Sequence, residues 1–136
     1  MLRSLVGDWV FGCDICQSVC PWNSRVDDTQ VDRQFLKNDH IQNLKLEVEL
    51  SLTEDEFQHV YHDSPVLRAR RGGYLRNVAL ALGNQGDIRN RDLILDVICN
   101  EKDPMVRSAA VWAASRMTDE HMRNQLLVLH TSETDE

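Results

Sequence analysis

No stretch of eighteen consecutive apolar residues occurs in the 136-residue chain, so no segment reads as a membrane span. The opening MLRSLVGDWVFG carries one arginine and an apolar patch too short for a secretory signal. Cysteine is scarce and clumped, with three of the four residues inside eight positions. An extracellular disulfide scaffold would need more, spread more widely. The chain therefore reads as cytoplasmic, where close-set cysteines serve as metal ligands before disulfides. Proline is rarer still, and Pro21, Pro65 and Pro104 each fall at a break in the pattern. Length and composition are those of about one ordinary globular domain.

Charge of one sign is also unevenly absent. The net charge is −7. Yet residues 66–91 hold Arg68, Arg70, Arg71, Arg76, Arg89 and Arg91 against the single acid Asp87, a net +5 that leaves −12 elsewhere. Such segregation marks a surface for an anionic partner better than the average does. Arg68, Arg70 and Arg71 lie beside Gly72-Gly73, where a backbone can approach a phosphate. The plainer reading is a solvated helix flank. Arg76 shares its repeat position with Arg107, which suggests a structural role for both.

What is present at the N-terminal end is FGCDICQSVCPWN, residues 11–23. Thiolates are soft, charged donors suited to zinc or iron–sulfur centres. A zinc site would pair Cys13 and Cys16 with His59-x₂-His62, but those histidines sit on a capped helix and read as a solvated face. The run Cys16-x₃-Cys20-Pro21 instead matches the end of the two-cluster ferredoxin pattern, whose last cysteine serves the other cluster. Cys13 and Cys16 would then share one cluster and Cys20 reach a second. Metal-free structural cysteines are the bland alternative. Cys99, in LILDVIC, reads as a free cysteine on a helix core face. Trp22 reads as packing that excludes water, and Asn23 as a cap or turn.

The remainder is mainly α. Leu44, Leu46, Val48 and Leu50 alternate with charged residues, which is a strand pattern lacking a partner, and a short irregular helix fits equally. Thr53 with Glu56 forms a capping box for a helix ending near His62 or Asp63, before Pro65. From Gly73 a repeat sets in. RNVALALG (76–83) aligns with RSAAVWAA (107–114), and LDVI (95–98) with LLVL (126–129), both at an offset of 31. Gly86 and Asp103-Pro104 mark the breaks. Two stacked helix pairs result, similar to HEAT repeats, with Ala79 and Ala110 at equivalent buried positions. The expected organisation is 1–25 as a truncated ferredoxin-like segment, 26–72 as a connector with one short helix, 73–130 as helical repeats, and 131–136 as a disordered tail.

GDWVFGCDICQSVCPWN followed by SPVLRARRGGYLRNVALALGN resembles the C-terminal portion of the epoxyqueuosine reductase family. The family pairs a GCDxCQxxCPWN element with an arginine-rich stretch, an LRNxAxALGN helix and HEAT-like repeats. The resemblance implies a cytoplasmic enzyme with cobalamin and two 4Fe–4S clusters that reduces epoxyqueuosine to queuosine at the wobble position of a tRNA anticodon. It implies that Cys13 and Cys16 help hold one cluster and that Cys20 reaches the other. It implies too that the arginines at 68, 70, 71 and 76 face tRNA. The family's cobalamin domain, catalytic acid and first cysteine motif match nothing here. The chain is therefore expected to be a fragment, half of a split protein or a remnant, inactive alone and partnered by the upstream portion. The rival reading is a HEAT-type binding module with a structural zinc or metal-free cysteine site.

Overall fold

The computed structural model describes residues 2–25, 43–117 and 120–130, with the side chains at 120, 121, 129 and 130 left aside. The expected loop after Arg25 and the polar tail from residue 131 lie outside the described residues. The chain divides into two compact units. One joins Met1–Phe11 to Lys45–Glu136, and the other is Gly12–Leu44. The first eleven residues thus pack with the helical unit rather than with the cysteine segment.

All regular structure among the described residues is helical. In the cysteine unit a single turn, α1 (Ile15–Ser18), is followed by a 3₁₀ turn at Asn23–Arg25. The helical unit holds α2 (Leu46–Leu50), α3 (Glu54–Tyr61), α4 (Arg70–Gln85), α5 (Arg91–Asn100), α6 (Pro104–Arg116) and α7 (Glu120–His130). None is long and apolar enough to cross a membrane.

The alternating stretch at 44–50 resolves as helix α2, which buries Glu49 and Leu50. Among the described residues no strand neighbours it to satisfy an extended backbone, and intrahelical bonds do so instead. α3 begins as its capping box requires. Thr53 Oγ1 accepts from the Glu56 N–H at 3.3 Å, and Glu56 Oε2 accepts from the Thr53 N–H at 2.8 Å. The box holds the Glu56 carboxyl below its ordinary value, chiefly through the Thr53 backbone N–H. Phe57 and Tyr61 are the buried face. Ser64 precedes Pro65 in extended conformation and ends the helix, its side chain accepting from the Val66 N–H.

α4 starts at Arg70, one turn earlier than the repeat pattern suggests, and stops at Gly86. That glycine takes φ +65° and donates to the Leu82 carbonyl. α6 opens with Asp103 accepting from the Met105 N–H at 2.9 Å and Pro104 in the first turn. α4 and α6 make the principal packing of the molecule. Ala79 and Ala110 are both fully buried, at matching repeat positions. Closest approach is at Gly83, where an added Cβ would lie 2.7 Å from Ala113 Cα. Small residues on both helices let the backbones meet at this depth.

A polar cluster lies inside the apolar core. Phe57, Tyr61 and Tyr74 form an aromatic triangle with centroids 5.2–5.5 Å apart. The Tyr61 and Tyr74 hydroxyls donate to Glu49 Oε2 at 2.7 and 3.0 Å. Burial, more than any neighbour, pushes both phenols well above their ordinary range. This cluster ties α2, α3 and α4 together, with every ring polar atom partnered.

Candidate functional site

The cysteine segment is shaped by hydrogen bonds within itself, because α1 buries no residue. Gly12 and Asp14 take φ +67° and +47°, so two left-handed turns bracket Cys13. The Asp14 carbonyl then accepts from the Gln17 and Ser18 N–H groups, both at 2.9 Å. The Cys20 N–H donates to the Gln17 carbonyl at 3.2 Å, and the Cys20 carbonyl accepts from Asn23 and Ser24. Asn23 closes the turn as expected, its Nδ2 reaching the Gln17 carbonyl at 3.0 Å and Gln17 Oε1 at 2.7 Å.

Cys13 and Cys16 are exposed, Cys20 is partly covered, and none forms a disulfide. In kind, three such thiols suit a soft metal centre. In number they fall short, since no group of three or more Cys, His, Asp or Glu is gathered for a metal among the described residues. His62 is engaged locally, through the His59 carbonyl and Asp63. Two expectations fail here. Trp22 is 80 % exposed, and the neighbouring turn α1 buries no residue for it to pack against. Cys99 is exposed as well. α5 turns Ile94, Val97 and Ile98 inward, and the next residue lies about 100° round the helix.

The basic stretch follows a 3₁₀ turn at Pro65–Ala69. Arg70 sits at φ +55°, ψ 161°, a backbone region that suits glycine and costs another residue about 1–3 kcal/mol. Its side chain is exposed, as is that of Arg68, whose Nε makes only a long 3.4 Å contact to the Pro65 carbonyl. Both can reach an anion in solvent. Arg70, Gly72, Gly73, Arg76, Asp103 and Met105 line a cleft of about 410 Å³ at the start of α4. Asp103 stands in that cleft, its Oδ2 only 2.1 Å from where a Cβ on Gly72 would lie.

Arg71 differs from the expectation of a phosphate contact. Its guanidinium forks onto Glu101 at 2.7 and 3.2 Å, and its Nε donates to the Leu52 carbonyl at 2.6 Å. All faces of the group are turned to the protein, and its side chain is only 19 % exposed. Arg71 is the first cause that holds the Glu101 carboxyl below its usual value. Arg89, 86 % exposed, pairs at the surface with its neighbour Asp87, whose carboxyl it lowers to about 2. Arg107 donates to the Glu101 and Lys102 carbonyls at 2.9 and 3.0 Å, a structural tie. Arg76 is exposed but directed: its Nε and Nη2 donate to Asn77 Oδ1 at 3.1 and 2.8 Å.

Two residues that sequence reasoning left without a role appear beside these. Asn77 donates to the Val10 carbonyl at 2.8 Å. Asn84 donates to the Gly7 and Arg3 carbonyls at 2.6 and 3.1 Å. The available signal was their spacing of seven, which places both on one face of α4.

No family model matches the chain. Its sequence aligns with the epoxyqueuosine reductase of Pseudomonas aeruginosa at 41 % identity over 83 residues, 61 % of this chain and 23 % of that protein. With the enzyme of Xanthomonas campestris the identity is 29 % over 115 residues, 85 % of this chain and 32 % of the relative. The chain is similar to one part of epoxyqueuosine reductase. Solved structures share the fold. One, determined with a tRNA-Tyr epoxyqueuosine-modified stem loop, superposes with TM-score 0.90 over 99 % of this chain and 36 % of its own, at 24 % identity. That of the Streptococcus thermophilus epoxyqueuosine reductase superposes with TM-score 0.77 over 90 % of this chain and 33 % of its own, at 25 % identity. The chain spans about a quarter to a third of the length of these relatives.

Proposed function

We propose that this chain is the cluster-ligating and tRNA-docking part of an epoxyqueuosine reductase, an oxidoreductase of the cytoplasm that completes queuosine on tRNA. The carrying observation is that the C-x₂-C-x₃-C-P segment and the arginine-to-α4 segment occur together and in order, in a chain whose relatives bear that name. The tRNA stem loop bound by a protein of the same fold supports the choice of partner.

In this reading Cys13 and Cys16 hold part of one 4Fe–4S cluster and Cys20 reaches another. The remaining ligands, and cobalamin, belong to the upstream portion of the enzyme. When bound, such clusters supply single electrons to a reductive step. The chain's own residues bind and orient. Arg68 and Arg70 present charge to the phosphate backbone, and Arg76 lines with Arg70 the cleft beside Asp103 and Met105. Arg71 leaves the list of phosphate contacts and becomes a tie within the helical unit. The stacked helix pairs serve as a HEAT-like platform.

Anaerobic incubation with ferrous iron and sulfide tests the redox part. A brown protein with broad absorption near ~400 nm that bleaches on reduction and in air supports it. A colourless protein holding one tight zinc would replace it with the second reading, a helical binding module with a structural metal. That reading is favoured by one feature: the helical unit builds its whole core without the thiolate segment.

A further inference from the structure

We infer that Asn77 and Asn84 are positioning residues for the thiolates, gripping from α4 the chain that runs into Cys13. The inference rests on the iron–sulfur reading above and goes beyond it by naming what holds the ligand-bearing segment.

Two turns of helix separate the asparagines, so both side chains leave α4 on one face. Between them they donate to three main-chain carbonyls, at Arg3, Gly7 and Val10. These acceptors are spaced along nearly the whole described N-terminal segment. The apolar hold on that segment is partial: Leu2 and Leu5 are freely exposed, Trp9 and Phe11 are each somewhat over half covered, and Val10 packs partly on the core. The polar part of the hold is localised in two amides. Gly7, at φ +64°, gives the backbone the turn at which its carbonyl meets Asn84.

The direction of the Asn77 amide is also determined. Arg76 donates to its Oδ1, so Nδ2 must face Val10. Arg76 thus acts through Asn77, which gives this exposed arginine a second use besides charge. From Val10 the chain runs three residues to Cys13. A thiolate ligand must be placed to a fraction of an ångström, and outer groups that hold a ligating segment commonly govern metal affinity.

The test uses the full chain with Asn77→Asp and Asn84→Asp, which keep shape but replace the donor with an acceptor facing a carbonyl oxygen. Three measurements run in parallel: helix melting, amide exchange of residues 3–10 on the metal-free chain, and iron retained after anaerobic loading with ferrous iron and sulfide. Helix melting should stay cooperative. Exchange at residues 3–10 should rise about tenfold in each variant. Iron retention should fall, or bleaching in air quicken, by about tenfold. Asn77→Gln keeps an amide donor on a longer arm and should recover part of both. Unchanged exchange in both variants overturns the grip. Raised exchange with unchanged iron overturns the positioning role. If the parent chain takes no iron, the iron–sulfur reading fails and positioning with it, while amide exchange still decides the grip by itself. Should Asn84→Asp lose the helices, Asn77→Asp carries the decision.

Discussion

Arg71 and Glu101, thirty residues apart, meet in a two-pronged ion pair that closes the start of α4 against the loop before α6. Both side chains are largely buried, at 19 % and 10 % exposure. Arg71→Ala leaves a carboxylate and the Leu52 carbonyl without their donor. It should cost about 2–3 kcal/mol in urea unfolding. The same variant should bind tRNA with an unchanged salt slope, because this guanidinium is committed to Glu101 and the Leu52 carbonyl.

The pair also sets a pH dependence. Arg71 lowers the Glu101 carboxyl in the folded chain, so the unfolded chain binds its proton first as pH falls. The pair's stabilisation is present above the ordinary glutamate value of about 4.3 and is lost as pH drops through the lowered folded value. Urea midpoints followed from neutral pH into that acid range should fall. In Glu101→Gln that part of the fall should be missing.

Arg70 offers a sharper separation of stability from binding. Its backbone occupies a region natural to glycine. Arg70→Gly should relieve strain and stabilise the fold by about 1 kcal/mol, net of the added freedom of the unfolded chain. The same change should weaken tRNA binding and lower the log–log salt slope by somewhat under one unit. Gel-shift titrations at several salt concentrations, with Arg68→Ala alongside, check it. Stabilisation without loss of affinity would leave Arg70 as strain with no tRNA role.

Gly83 is constrained by space. A methyl group there meets Ala113 backbone at 2.7 Å, and backbone cannot rotate out of the way. Gly83→Ala should lower stability by about 1–3 kcal/mol despite the better helix propensity of alanine. A larger residue at Ala110 should cost a similar amount. Thermal melts would show either; a neutral Gly83→Ala would mean that α4 and α6 separate readily.

How much of this was legible in the residues depended on how local each determinant is. Thr53 and Glu56 announce a helix start because both partners lie within four positions. The 31-residue register placed Ala79 and Ala110 correctly because a repeat carries its packing in its own period. Alternation at Leu44–Leu50 misled in part, since a five-residue helix with two inward residues produces almost the same pattern. Cys99 was judged from apolar neighbours, when one step round the helix decides burial. Arg71 looked like its neighbours Arg68 and Arg70, and only the distant Glu101 distinguishes it. The roles of Asn77 and Asn84 depend on carbonyls, which every residue type carries, so no side-chain pattern at 3–10 could signal them.

The strap at Arg3, Gly7 and Val10 has a consequence for biosynthesis. Its partners lie 67 to 81 residues further along the chain. The turn around Cys13–Cys20 needs partners no more than six residues away, and α4 meets α6 about thirty residues on. On a ribosome the strap emerges first and is fastened late, after Asn84 has cleared the exit tunnel. Until then residues 3–10 and the cysteine turn lack the bonds that α4 supplies. The order of translation therefore leaves an interval in which the cysteine turn, whose own bonds are local, can form before α4 fastens the residues ahead of it.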